Sequence, residues 1–207
     1  MYIPEYNRVE DRAVALGFMQ ANPFAILISA TDSGPFATHL PILVREVDGR
    51  VQLRGHMAKA NPHWKSIGQD QESLAIFHGP HAYISPSLYE TRESVPTWNY
   101  AAVHVYGRGT FFTDEAPLRQ LLQEVIGCFD SSYAAQWPSL NEQYQSRMLQ
   151  HIVGFEINAT RVEAKFKLSQ NRTRAERENV IKSLSRSADS AVGAVAALMK
   201  EQGLGST

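Results

Sequence analysis

Apolar and polar positions alternate along this chain with two periods, and the changes of period mark its elements. From Asp11 to Gln20 the spacing is helical, with Val14, Leu16, Phe18 and Met19 supplying an apolar side and Asp11 placed to cap the start. Asn22-Pro23 stops that helix. Phe24 to Ala30 is an apolar run rich in β-branched residues, and Asp32-Ser33-Gly34-Pro35 is turn chemistry. A second strand is predicted over 36–44. Asp48-Gly49 then signals a hairpin into a third strand ending at Gly55-His56-Met57. Asn61-Pro62 opens a short helix, with Pro62 suited to its first position. A fourth strand is expected over 73–78, and Pro80 to Thr97, with three prolines, reads as a long structured loop.

The second half begins with an aromatic, alternating strand over 99–112, bent at Gly107 and Gly109. A helix follows over 114–128, with Asp114 as its cap and Leu118, Leu121, Leu122, Val125 and Ile126 at helical spacing. Further helical stretches are expected over 139–150, 174–185 and 189–202. Between the first two of these, 152–168 has the content of one more strand or a bent pair. The tail from Gly203 to Thr207 is expected to be loose. Hairpins followed by helices imply an α+β fold rather than an alternating parallel sheet. About six strands favour a closed or half-closed antiparallel barrel, which removes exposed edges. The boundaries divide into a barrel domain over 1–172, with a helical insertion over 114–150, and a C-terminal helical extension over 173–207.

Composition narrows the chemistry. Twenty Lys and Arg against 21 Asp and Glu leave a net charge of -1, which weighs against binding nucleic acid mainly through phosphate neutralisation. The basic run Arg172, Arg174, Arg177, Lys182 and Arg186 is interspersed with Glu176, Glu178 and Asp189, so it reads as a solvated mixed-charge helix. DNA contact is therefore possible but not evident. The lone Cys128 excludes an intrachain disulfide and, within an apolar run, reads as a small buried residue. The seven histidines show no zinc-ligand spacing, so no metal site is expected. The N-terminus has no signal-peptide pattern and no run is long enough for a membrane helix, which points to the cytoplasm.

Three regions mix aromatic, basic and amide residues where strands meet loops. They contain ThrHisLeuPro at 38–41 with GlyHisMetAlaLysAlaAsnProHisTrp at 55–64, PheHisGlyProHisAlaTyrIleSerPro at 77–86 with ValProThrTrpAsnTyr at 95–100, and LysPheLysLeuSerGlnAsnArg at 165–172. With the opening MetTyrIlePro, these motifs resemble the PaiB-like family of negative transcriptional regulators, which are FMN-binding split barrels. The resemblance runs from residue 1 to about residue 185. It implies a six-stranded antiparallel split barrel like that of pyridoxamine phosphate oxidases, a homodimer, and FMN in a cleft between two chains.

Residue chemistry is compatible with that cofactor. Lys59, Lys165, Lys167 and Ser169 are candidates for the FMN phosphate, which wants fixed cations and hydroxyl or amide donors. His39, Leu40, His56, Met57 and Ala58 are candidates for the wall of the isoalloxazine ring. Trp98, Asn99 and Tyr100 are expected to cover the ring from a second chain. No acid–base pair declares itself, so catalytic residues are unassigned. A flavin-dependent oxidoreductase and a haem-binding split barrel stand as alternatives to the regulator, on fold-level analogy.

Overall fold

Turn chemistry and caps place most of the elements. The computed structural model of the protein describes residues 1–205. Helix α1 (Arg12–Ala21) starts where the Asp11 carboxylate accepts the Ala13 N–H at 2.8 Å. Strand β1 (Phe24–Thr31) turns into β2 (Gly34–Pro41), pairing Phe24 with Pro41 and Thr31 with Gly34. Strand β3 (Leu43–Val47) turns into β4 (Arg50–Ala58) through Asp48 and Gly49. Their φ values of 49° and 71° give the two left-handed positions of a type I′ hairpin. Strand β5 (Ser73–Ile84) and strand β6 (Thr97–Phe112) precede helices α2 (Glu115–Phe129) and α3 (Glu142–Leu149). Strand β7 (Ile152–Lys167) leads to α4 (Arg174–Leu184) and α5 (Ser190–Glu201).

The seven strands form one antiparallel sheet in the order β2-β1-β5-β6-β7-β4-β3. The expected strand over 36–44 is two strands, because Ile42 is pulled out of line: its N–H donates to Pro23 O at 2.9 Å and its side chain is fully buried. That break accounts for seven strands rather than six. It also makes the two outermost strands of the order, β2 and β3, neighbours in sequence.

Other differences have local causes. Pro80 does not end β5, which runs on to Ile84; β1 pairs with β5 only up to Ile76, so beyond it a residue lacking an N–H is tolerated. The expected loop shrinks to 85–96. Asp114 precedes α2 but makes no capping bond. Cys128 is exposed, because α2 buries Leu118 and Leu121 and its last turn lies beyond that contact. The tail is tied as far as it is described: Gly203 (φ 67°) donates to Lys200 O and Leu204 to Met199 O, a Schellman cap on α5. The expectation of looseness at Ser206 and Thr207 lies outside the described residues.

The chain clusters into two compact units. One holds Met1–Phe18, His78–Val103 and the described residues from Glu163 onward; the other holds Met19–Phe77 and His104–Val162. In the first, α4 and α5 pack through Val180, Ile181, Leu184, Val195, Ala196 and Met199. In the second, Gly107 and Gly109 let β6 lie close against β7. A Cβ on Gly109 would stand 2.4 Å from Glu156 O, and one on Gly107 2.6 Å from Asn158 O.

Candidate functional site

The expected site residues fall into two groups, one in each unit. In the unit formed by 19–77 and 104–162, β2 exposes His39 and buries Leu40. The His39 ring lies 6.5 Å from that of the exposed Phe24. At the end of β4, His56 is half-buried, Met57 is buried, and Ala58 and Lys59 are exposed. Leu40 and Met57 therefore offer a ligand backbone rather than side chain. Burial holds the His56 pKa below its ordinary 6.5, so the ring is neutral at pH 7 and carries one donor and one acceptor.

The position of Lys59 is fixed by its backbone. Its N–H donates to His151 O at 2.8 Å, and its carbonyl accepts the Trp64 indole N–H at 3.1 Å. Next to it, Asn61 caps the 3-10 turn Pro62–Ser66 by accepting from His63 N at 3.1 Å. The Asn61 amide donates to Thr38 Oγ1 at 3.1 Å, which leaves the Thr38 hydroxyl proton for His63 Nδ1 at 2.7 Å. His63 is 1% exposed, and burial lowers its pKa. This cage joins the motif at 38–41 to the motif at 55–64. The Lys59 ammonium has no partner among the described residues.

The other group belongs to the unit formed by 1–18, 78–103 and 163–205. Trp98 is 52% exposed on β6, with His81 5.9 Å and Tyr83 6.0 Å away, ring to ring. Trp98 and His81, together with Tyr100 and Ala102, border an apolar hollow of about 310 Å³. Asn99 points the opposite way and is fully buried. Its amide and the Ser169 hydroxyl bond reciprocally, at 3.0 and 3.2 Å. Ser169 holds a φ of 66°, a left-handed conformation that costs a side-chain-bearing residue roughly 1–2 kcal/mol.

Lys165 and Lys167 alternate along β7 and share a face. Lys165 is 7% exposed; its ammonium donates to Tyr2 O at 3.2 Å and lies 5.7 and 5.3 Å from the rings of Tyr2 and Tyr100. Lys167 donates to Thr97 Oγ1 and, at 2.6 Å, to Trp98 O. Burial, and then the charge of Lys165, lower the Lys167 pKa from its ordinary 10.5. Neither ammonium meets a carboxylate among the described residues. Sequence reasoning did not join to these lysines Tyr89, whose ring carries the Arg172 guanidinium at 3.8 Å. Tyr89 had no signal of its own, since its partner lies on a distant segment.

A family model described as "Putative FMN-binding domain" matches residues 1–161. The chain belongs to that family. It is 35% identical over 204 residues to the "Protease synthase and sporulation protein PAI 2" of Bacillus subtilis (strain 168), covering 98% of each. It is also 28% identical to an uncharacterized protein of Emericella nidulans, again over 98% of each. Among solved structures, the flavocytochrome Anf3 of Azotobacter vinelandii superposes with a TM-score of 0.60 at 17% identity, over 80% of this chain and 72% of that one. The FAD and heme binding protein of Mycobacterium smegmatis gives 0.59 at 12%, over 78% and 73%. At these identities the structural likeness is one of fold.

The residues present fit FMN. A cation at Lys59 with no partner among the described residues, a neutral His56 and exposed rings at Phe24 and His39 supply the charge, the hydrogen-bonding imidazole and the flat surface that a phosphate and a flat heterocycle need. All of them lie within the matched residues, whereas Lys165, Lys167 and Ser169 lie beyond them.

Proposed function

We propose that this chain is a dimeric, split-barrel FMN protein whose flavin serves a regulatory role in gene expression. In this reading Lys59 holds the FMN phosphate, and His39, His56 and Ala58 line the ring's edge. The carrying observation is Lys59, inside the matched region, whose backbone is anchored and whose ammonium has no partner among the described residues. The apolar hollow at Trp98 and Tyr100 supports a second copy as its cover, since exposed aromatic strips of this kind mark interaction surfaces. FMN, when bound, supplies electron and hydride transfer. The residues of this chain orient it, neutralise its phosphate and keep an uncharged imidazole beside it. The name of the Bacillus relative supports the regulatory role. Among the described residues no helix is long and apolar enough to cross a membrane, which is compatible with a cytoplasmic site of action.

The residue assignment is tested by titrating flavin fluorescence with wild-type protein and with Lys59→Ala. Charge-assisted hydrogen bonds contribute about 1.5–3 kcal/mol, so loss of this one weakens FMN binding roughly 10- to 100-fold. An unchanged affinity would place the phosphate elsewhere. Sedimentation of the same samples tests the dimer; a monomer at all concentrations with FMN bound would refute the shared cleft.

A further inference from the structure

A polar cleft lies wholly within the unit formed by 1–18, 78–103 and 163–205. Its volume is about 200 Å³, and Tyr6, Tyr89, Thr97, Lys167, Asn171 and Arg172 are among the residues that line it. Pockets for drug-sized molecules start at about 300 Å³, so this one suits something smaller. Two cations face it without a carboxylate among the described residues. Lys167 uses two of its three protons on Thr97 Oγ1 and Trp98 O, which leaves one. The Arg172 guanidinium stacks on Tyr89, an arrangement that keeps its N–H edges clear for a planar two-oxygen partner. The third feature is an orphan: Tyr89 is 8% exposed, and its hydroxyl has no hydrogen-bond partner among the described residues. A buried hydroxyl left unpaired costs about 1–3 kcal/mol, which a ligand oxygen would recover.

The walls are held in place independently of any ligand. The buried carboxylate of Glu176 accepts from Glu90 N at 3.1 Å and from Thr173 N at 3.3 Å, fixing the segment next to Tyr89 against the start of α4. Arg177 donates to Arg172 O at 2.6 Å. Ser169, strained and locked to Asn99, sets the turn from Lys167 to Arg172.

We propose that this cleft binds a compact oxyanion, a carboxylate or phosphate of a small molecule, through Arg172, Lys167 and the Tyr89 hydroxyl, separately from FMN. Both cations of the cleft, Lys167 and Arg172, lie past residue 161, whereas Tyr6, Tyr89 and Thr97 lie within the family match.

The test is calorimetric titration of the full-length protein, with and without saturating FMN, using inorganic phosphate in one arm and succinate in the other. Saturable binding of either, with or without FMN, is expected, and the stronger arm identifies the source of the oxyanion. Tyr89→Phe weakens it several-fold with no loss of thermal stability, because that hydroxyl has no partner among the described residues. Arg172→Gln weakens it at least tenfold, and Asn171→Asp, at an exposed position, weakens it by repulsion. All three retain wild-type FMN affinity. The proposal is overturned if neither anion binds, if Tyr89→Phe and Asn171→Asp leave the affinity unchanged, or if FMN affinity falls together with anion affinity in Arg172→Gln. The last result would make the cleft part of the flavin site; failure of FMN to bind while the anion does would instead count against the flavin reading alone.

Discussion

Single residues carry the sharpest consequences. Gly109 stands where a Cβ would meet Glu156 O at 2.4 Å, and a backbone oxygen cannot step aside. Gly109→Ala is expected to cost about 1–3 kcal/mol of unfolding free energy, as overpacking does. Equal denaturant midpoints for the two proteins would show that the strands part without strain. His56 and His63 make stability depend on pH. Burial lowers both pKa values from 6.5, so below pH 6.5 the unfolded chain takes up protons that the folded chain refuses. Their contribution is fully present above 6.5 and is lost as pH falls through the lowered values. Glu115 and Asp130, lowered by hydrogen bonds to Arg119 and Ser132, act in a separate window below their ordinary 4.5 and 3.8. Urea unfolding at pH 7.5 and 5.5 should show lower stability at 5.5, and His56→Gln should reduce the difference. A flat profile would mean that these imidazoles are solvated.

Elements were legible where a short-range signal decides them, and less so where a distant partner does. Asp48-Gly49 announces its hairpin because two positive φ angles are needed within two residues. The break at Ile42 depends on Pro23 O across the sheet, and nothing beside Ile42 signals it. Asp114 has the cap's chemistry without its bond, whereas Thr173 forms a full capping box with Glu176 at α4. Removing that cap by Thr173→Ala should cost about 1 kcal/mol in urea unfolding, with Thr173→Ser close to wild type; no loss for Thr173→Ala would mean that α4 is held by packing alone. The polar stripe across β3, β4 and β7 was not visible in the sequence either. There Arg45 donates to Gln52 at 2.7 Å, Gln52 to Glu156 at 2.9 Å and Asn158 at 3.0 Å, and buried Arg54 pairs with Glu124 and Glu156. Each of those residues looks like an ordinary strand polar position until register places it.

For the whole molecule, the motifs identified the family and the α+β sheet, and the structure sorted their residues. Lys59, Lys165 and Lys167 are equivalent as sequence, each a lysine beside small and aromatic residues. In the fold, Lys59 just past β4 is exposed with no partner among the described residues, while Lys165 is buried between two tyrosine rings and Lys167 borders a small polar cleft. That difference arises from long-range packing, so no local pattern could rank them. This chain holds FMN. Flavin fluorescence, recorded while purified full-length protein is titrated into FMN, tests it most directly. Saturable quenching is predicted; fluorescence that stays unchanged at every protein concentration would contradict the account.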